Sequence, residues 1–348
     1  MIHFATIRSA TVFLVAMLCC SAQGASHPHQ AFYITFQVPN GIGTLPVGIN
    51  DSLSVTGYYN GKDGKTHGFV RHVFGEITTF DVPGSIYTQP IGINNAGEIT
   101  GVYEDVPGFD RGFIRSPEGN FTTFNPGGAG GSSLPRAINP SDMVVGFYTT
   151  TNIVPPGFGF IRYPDAGLVT FGISGSSYVN PVSINTAGEI AGLYLYDGNT
   201  QIGGFVRCPD GHITTFEYGE GIVPTAINQA GTITGWYGTT GFHGFVRSAE
   251  GVITPFDPPG AIQTQYISIN REGFVTGSYL ASTPGIEHGF LRSPEGRLTT
   301  IDPPGSTQTN VTAINDLGVI TGSYSGNIAP YGGAFLRIPQ FDCDDDQP

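Results

Sequence analysis

The chain is short of cysteine, of basic residues and of long apolar runs. It holds four cysteines in 348 residues, two of them inside the leader described below. Only Cys208 and Cys343 remain, so no dense disulfide framework can hold the fold together. Packing must do so. Fourteen Lys and Arg stand against 27 Asp and Glu, a formal charge of −13. That balance repels a phosphate backbone, and nucleic acid is not an expected partner. Beyond Ala25 no apolar stretch approaches the roughly 20 residues that a membrane helix needs, so no membrane insertion is expected once the leader is removed. The chain also lacks a Gly-x-Ser-x-Gly elbow, a phosphate-cradling glycine loop with Lys, and Cys or His pairs at zinc-finger spacing. No catalytic residue can be named on these grounds, and neither a metal nor a cofactor is expected.

A leader is present. Arg8 precedes an uncharged stretch from Ser9 to Ala25 that holds the apolar run Thr11 to Cys20. With small residues Ala22 and Gly24 at −3 and −1, residues 1–24 read as a secretory signal peptide cleaved after Gly24. Losing Arg8 takes the charge from −13 to −14. The expected location is secreted, either extracellular or periplasmic.

The chain has 52 Gly and 26 Pro, a composition that fits either disorder or a turn-rich all-β protein. A repeat decides between them. An Ile-Asn pair recurs with its Asn at Asn50, Asn94, Asn139, Asn185, Asn228, Asn270 and Asn315, spaced 42 to 46 residues apart. Nine residues after each stands a tyrosine, from Tyr59 and Tyr103 to Tyr324, with a glycine two before it. Phe-x-Arg follows, giving Arg71, Arg115, Arg162, Arg207, Arg247, Arg292 and Arg337. Nine beyond the first six arginines a Thr-rich segment ends at Phe80, Phe124, Phe171, Phe216, Phe256 and Ile301. Each unit reads as four short strands with alternating, β-branched and aromatic residues. Turns such as Ser116-Pro117-Glu118-Gly119 supply the chain reversals.

Connection lengths assign the faces. Asn to Tyr and Arg to Phe are constant, so the first and third connections are fixed hairpins, whereas the second and fourth vary in length. In an up-and-down sheet alternate connections emerge on the same side, which puts the two rigid turns on one face of a ring and the two variable loops on the other. Residues Tyr33 to Pro39 match the fourth strand of a unit yet precede the first Ile-Asn pair, while the last unit runs into an acidic tail in place of its fourth strand. The N-terminal strand can therefore complete the last unit and remove the open edge. The expected fold is an all-β, seven-bladed β-propeller of four-stranded blades over residues 32–338, followed by an acidic C-terminal tail over 339–348. A β-solenoid is the structural alternative.

Residues present in every unit are best explained by packing. Each repeated arginine lies on the same strand face as its Phe and is expected to bond carbonyls or carboxylates between blades. The glycine before each tyrosine lets backbone or a ring approach closely.

Units carrying His67-Gly68-Phe69, His243-Gly244-Phe245 and His288-Gly289-Phe290, joined to Ile-Asn, Gly-x-Tyr and Thr-Thr-Phe-Asp-x-Pro-Gly elements, resemble the bacterial secreted HAF-repeat proteins over nearly the whole mature chain. They depart at the middle position, Gly for Ala, and at the first position in four units, where Arg111, Phe158, Gly203 and Gly333 stand. The resemblance implies a propeller fold and secretion. It carries over no catalytic residue.

Function must break the sevenfold symmetry, which points to the variable loops. The binding candidates are Glu104, Asp105, Asp110 and Arg111 in one loop, with His67, His243 and His288. Adjacent carboxylates such as Glu104 and Asp105 suit acid and base roles only when placed about 5 to 10 Å apart across a bond, and otherwise they are solvated loop charges. Converging imidazoles would bind zinc, but equivalent positions in separate blades are held apart by the ring. The leading expectation is a monomeric, non-catalytic binding or scaffold propeller that presents its variable-loop face to an extracellular glycan or protein. The alternative is a lyase or hydrolase acting near the central channel through a histidine and an acidic loop residue. Calcium binding by the acidic loops is a third reading.

Overall fold

The computed structural model describes residues 31–340, apart from 152–155, 166, 197, 199–200, 283–285 and 327–328. Residues 1–24, expected to be a signal peptide, lie outside these residues, as do Cys343, most of the acidic tail and the middle of the loop from Thr149 to Phe158. Among the described residues there is no helix, and 28 strands form seven four-stranded antiparallel sheets. The chain is a seven-bladed β-propeller.

Blade one is typical. Its strands Ile42–Ile49, Val55–Asn60, Thr66–Arg71 and Ile77–Phe80 pair in chain order. First strands of successive blades contact one another all the way round, and that of blade seven contacts that of blade one. First strands therefore border the axis and fourth strands the rim. Blade seven takes Phe32–Phe36 as its fourth strand, paired antiparallel to Ala329–Ile338 with Phe36 opposite Ala334. Phe80 opposite Gly68 in blade one has the same register, so the closing strand replaces the missing one residue for residue.

The core is a stack of repeated rings. Phe69, Phe113, Phe160, Phe205, Phe245, Phe290 and Phe335, the aromatics of Phe-x-Arg, are all 0% exposed, each contributing up to about 3 kcal/mol of burial. The glycine two before each tyrosine is required by this packing. A Cβ on Gly57 would lie 2.1 Å from the Leu45 carbonyl oxygen and 2.8 Å from the Phe69 ring.

The Ile-Asn asparagines do more than turn the chain. Within its own blade the Asn94 Oδ1 accepts from the Ala96 and Glu98 amides, at 3.1 and 2.9 Å, as expected of a local turn. Its Nδ2 donates to the Asn139 carbonyl in the next blade at 3.2 Å. The same bond runs from Asn50 to Asn94, Asn139 to Asn185, Asn185 to Asn228, Asn228 to Asn270, Asn270 to Asn315 and Asn315 to Asn50. Seven amides thus close a hydrogen-bonded belt on the rigid-turn face.

The arginines correct an expectation. The Nη1 atoms of Arg71, Arg115, Arg207, Arg247 and Arg292 do reach carbonyls, but those of the residue that follows each in the chain, as Arg71 to His72 at 3.3 Å and Arg207 to Cys208 at 3.1 Å. Between blades they stack instead. Arg71 lies over Phe36, Arg115 over Phe80, Arg162 over Phe124, Arg207 over Phe171, Arg247 over Phe216 and Arg292 over Phe256, at 4.6 to 5.6 Å from the ring centroids. Each Phe ends the fourth strand of the preceding blade, so these are cation–π clamps across the seams. Burial of the guanidinium lowers the pKa of Arg71, Arg115, Arg247 and Arg292 from the usual arginine value, the electrostatic cost of holding charge inside a seam.

Candidate functional site

The loop face carries the polar chemistry. Three positions of the repeat meet there: the first residue of the His-Gly-Phe motif near the start of the third strand, the residue just after the fourth strand, and the tyrosine at the end of the second. In blades one, five and six these are His, Asp and Tyr. His67 Nδ1 bonds Asp81 at 2.8 Å, His243 Nδ1 bonds Asp257 at 2.7 Å and His288 Nδ1 bonds Asp302 at 2.8 Å. Tyr59, Tyr237 and Tyr279 lie against these imidazoles at 5.3, 5.3 and 5.4 Å between ring centroids. A threonine of the following blade completes two of the sites, with Thr264 donating to Asp257 at 2.6 Å and Thr309 to Asp302 at 2.8 Å.

The other blades show what the pair replaces. In blade four Gly203 leaves room for the Tyr194 ring, whose hydroxyl bonds Tyr196 at 2.8 Å, and Tyr196 donates in turn to Glu217 at 2.7 Å. In blade three Phe158 stands beside Gly172. In blade seven Gln37, after the closing strand, donates to the Gly332 carbonyl at 3.1 Å. The histidine and aspartate occur together or not at all, fourteen residues apart, and this co-occurrence within the repeat is the sequence signal for the pairing. Local strand patterning does not contain it.

The orientation of each imidazole follows from its aspartate. A neutral imidazole that gives Nδ1–H to its carboxylate keeps a lone pair on Nε2, whereas one held by carboxylates at both nitrogens carries a proton on each. In blade one Asp63 meets Nε2 of His67 at 3.1 Å. Burial works to lower the His67 pKa, but the bonds to Asp63 and Asp81 outweigh it, and the group is raised above the ordinary histidine value. Among the described residues no side chain partners Nε2 of His243 or His288. The His243 side chain is 46% exposed and that of His288 29%.

Glu104, Asp105, Asp110 and Arg111 lie together on one hairpin, joining strands Ile99–Val106 and Phe109–Arg115 of blade two. They satisfy one another and the turn. Arg111 Nε bonds Asp105 at 2.6 Å. Glu104 accepts from the Gly108 amide, and Tyr87 donates to Asp110. Burial and the neighbouring Asp110 raise the Tyr87 pKa, which keeps the phenol protonated. Glu104 and Asp105 are consecutive on one strand and point to opposite faces, so they do not flank a common substrate bond.

Between blades six and seven the face opens into a pocket of ≈ 440 Å³ lined by Ile286, His288, Asp302, Ser306, Thr307 and Gln308. The three candidate histidines sit in separate blades, and among the described residues no group of three or more His, Cys, Asp or Glu is placed to hold a metal ion. Trp236 packs in the seam to blade six, 4.4 Å from Phe242 between ring centroids.

No family model matches the chain, and no curated protein does. Solved propellers match in shape. The crystal structure of puromycin hydrolase superposes with a TM-score of 0.59 at 12% identity, over 87% of this chain and 53% of that one. A Mycobacterium tuberculosis puromycin-hydrolyzing peptidase gives 0.61 at 12% identity, over 91% and 54%. This chain therefore spans about half the length of those enzymes. The β-propeller domain of the Trilobed protease from Pyrococcus furiosus gives 0.60 at 9% identity, over 88% of this chain and 99% of that one. At these identities the likeness shows the fold. That domain is described as having an open velcro topology, whereas here the N-terminal strand closes the ring.

Proposed function

We propose that the chain is a secreted binding or scaffold propeller that presents its variable-loop face to an extracellular glycan or protein. The observation that carries this reading is the repeated His–Asp pair. It recurs at equivalent positions in three blades, where it ties the third strand to the exit of the fourth, and between blades six and seven it lines a polar pocket. A catalytic centre draws unlike groups to one point, whereas a repeated clip builds a surface. The rigid-turn face has its asparagine side chains committed to the belt, which leaves the loop face to vary. The secretory leader and the likeness to secreted HAF-repeat proteins support the location.

A screen of the intact protein against immobilised glycans and envelope proteins tests this. Binding weakened by shortening the loop between Thr149 and Phe158, or by pocket substitutions between blades six and seven, is the expected result. No partner in such a screen, or binding insensitive to every loop-face variant, removes the reading.

The enzyme alternative draws on the same geometry. A carboxylate-held imidazole with a free Nε2 is the arrangement of a general base, and His288 has it at a pocket. Release of reducing ends or unsaturated products from polysaccharides, abolished by His288→Ala, would establish a hydrolase or lyase in place of a binding protein.

A further inference from the structure

We infer that the seam between blades six and seven is a subsite for a neutral saccharide, an inference that rests on the loop face being the binding face. Three seams share the Tyr–His–Asp arrangement, and comparing them isolates one. In blade one Nε2 of His67 is taken by Asp63, and the next blade offers Ser85 and Ile86, the latter 38% exposed. In blade five the equivalent positions of the next blade hold Ala261 and Ile262, the latter 50% exposed. The Phe242 carbonyl there is bridged to the Thr264 amide at 2.6 Å. The blade six seam alone of the three combines an imidazole with no partner at Nε2 among the described residues and two adjacent hydroxyls, Ser306 and Thr307, around an open volume of ≈ 440 Å³. That volume lies in the range of roughly 300 to 1,000 Å³ usual for small-molecule sites.

The electrostatics select the ligand class. Asp302 lines the pocket, but one of its oxygens holds His288 at 2.8 Å and the other accepts from Thr309 at 2.8 Å, so it has little left to offer a cation. An anion meets a chain of net charge −13 and no Lys or Arg among the lining residues. The Thr307 hydroxyl gives its hydrogen to the Ser325 carbonyl at 3.2 Å, so what remains on offer is an imidazole lone pair, the Ser306 hydroxyl, the Thr307 oxygen as an acceptor, and the apolar side chain of Ile286. A neutral polyhydroxylated ring fits that set: one hydroxyl donates to Nε2, another to the Thr307 oxygen, a third exchanges bonds with Ser306, and a C–H face rests on Ile286.

Calorimetric titration of the intact protein with methyl glucoside, methyl galactoside, methyl mannoside, N-acetylglucosamine, glucuronic acid and glucosamine tests the assignment. At least one neutral sugar is expected to bind in the millimolar range, weakened about tenfold or more by Thr307→Trp, which fills the pocket from an exposed position. His288→Phe keeps a ring against Tyr279 but removes Nε2, and is expected to do the same. Ile262→Trp, at the equivalent point of the blade five seam, is expected to leave binding unchanged. Neutral sugars that bind equally well to all three variants overturn the seam while leaving the loop-face reading in place. Tighter binding of glucuronic acid or glucosamine in a Thr307→Trp-sensitive manner overturns the neutral class. Failure of every sugar up to about 100 mM overturns the saccharide, and the envelope-protein arm of the wider screen then decides the loop face separately.

Discussion

The side-chain amide of Asn315 donates to the backbone carbonyl of Asn50 at 3.0 Å, across 265 residues of sequence. This contact is the last of seven equivalent amide bonds, and it forms only because the ring closes. A second closure reinforces it at the rim, where Phe32–Phe36 pairs with the third strand of blade seven. The two act at different radii, one near the axis and one at the edge, so the blade seven seam is held from both sides.

Removing the amide of Asn315 tests the inner closure. Asn315→Ala deletes the donor to Asn50 and the acceptor for the Leu317 and Val319 amides, bonds of 3.2 and 2.9 Å. Because all of these groups sit in or beside a buried belt, the expected loss is about 1 to 3 kcal/mol, read from urea unfolding midpoints. Deleting residues 31–39 tests the outer closure and is expected to cost more, since it strips Val38 from the blade one core and exposes a strand edge. Unchanged protease resistance in that deletion is incompatible with the ring.

The cation–π clamps are separable from ordinary packing by a double-mutant cycle. Arg207 stands 5.1 Å from the Phe171 centroid, and the pair crosses the seam between blades three and four. Arg207→Gln, Phe171→Leu and the double variant are expected to show a coupling of about 0.5 to 2 kcal/mol. Additive losses would mean that the arginine serves its own strand only.

Much of this fold is legible in the sequence because a repeat states each relationship seven times. Blade number, strand count, closure and the division into rigid and variable faces all follow from fixed and variable spacings. The belt is not legible, because an asparagine side chain that turns its own blade gives no local sign of a partner 42 to 46 residues away. Ring curvature supplies that partner. The arginines fail for a related reason: strand periodicity gives the face on which Arg207 lies, but the identity of the neighbour across the seam depends on how blades stack. At the loop face His67, His243 and His288 are visible as motif members, and their aspartates are visible only when the units are compared with one another.

Glu98 makes the rigid face sensitive to pH. Burial first, and then the bond to Asp142, raise its pKa from 4.5 to about 7. Between those two values the folded chain binds more proton than the unfolded chain, so this contribution is fully present below pH 4.5, falls as pH rises and is lost through about pH 7. Solvent reaches the pair and limits the effect to under about 1 kcal/mol. Glu98→Gln is expected to flatten the decline in melting temperature across that window, and a slope identical to that of the parent chain would place the proton elsewhere.

His67 titrates in the same sense, in a higher window. Its bonds to Asp63 and Asp81, at 3.1 and 2.8 Å, overcome the lowering effect of burial and raise its pKa above the ordinary histidine value of 6.5. The stabilisation it gives is complete below the unfolded value and is lost as pH rises through the folded one. Imidazole resonances followed by NMR are expected to show His67 titrating above an ordinary histidine, and Asp63→Asn to bring it down. A His67 midpoint unmoved by that substitution would mean that the Nε2 contact does not form in solution.

Tyr266 is where blade six breaks the pattern of the other innermost strands. Blades one to five place a buried proline at this point, at Pro46, Pro90, Pro135, Pro181 and Pro224, and blade seven a buried Val311. Here Ile267 takes the buried place at 3% exposure, and Tyr266 is turned out at 53% exposure with φ 56. The strand is paired on one edge and packed by neighbouring blades on both faces, so the phenol has only the axial channel to open into. A left-handed backbone on a bulky residue costs about 1 to 2 kcal/mol. Glycine does not incur that cost, whereas alanine does. At an ordinary strand position alanine is the better residue by about 0.5 to 1 kcal/mol, so the strain inverts the order: Tyr266→Gly is expected to be more stable than Tyr266→Ala. The same two substitutions at Val311 should follow the ordinary order. If alanine wins at both sites, the left-handed turn at Tyr266 is not held in solution, and blade six runs in the same register as its neighbours.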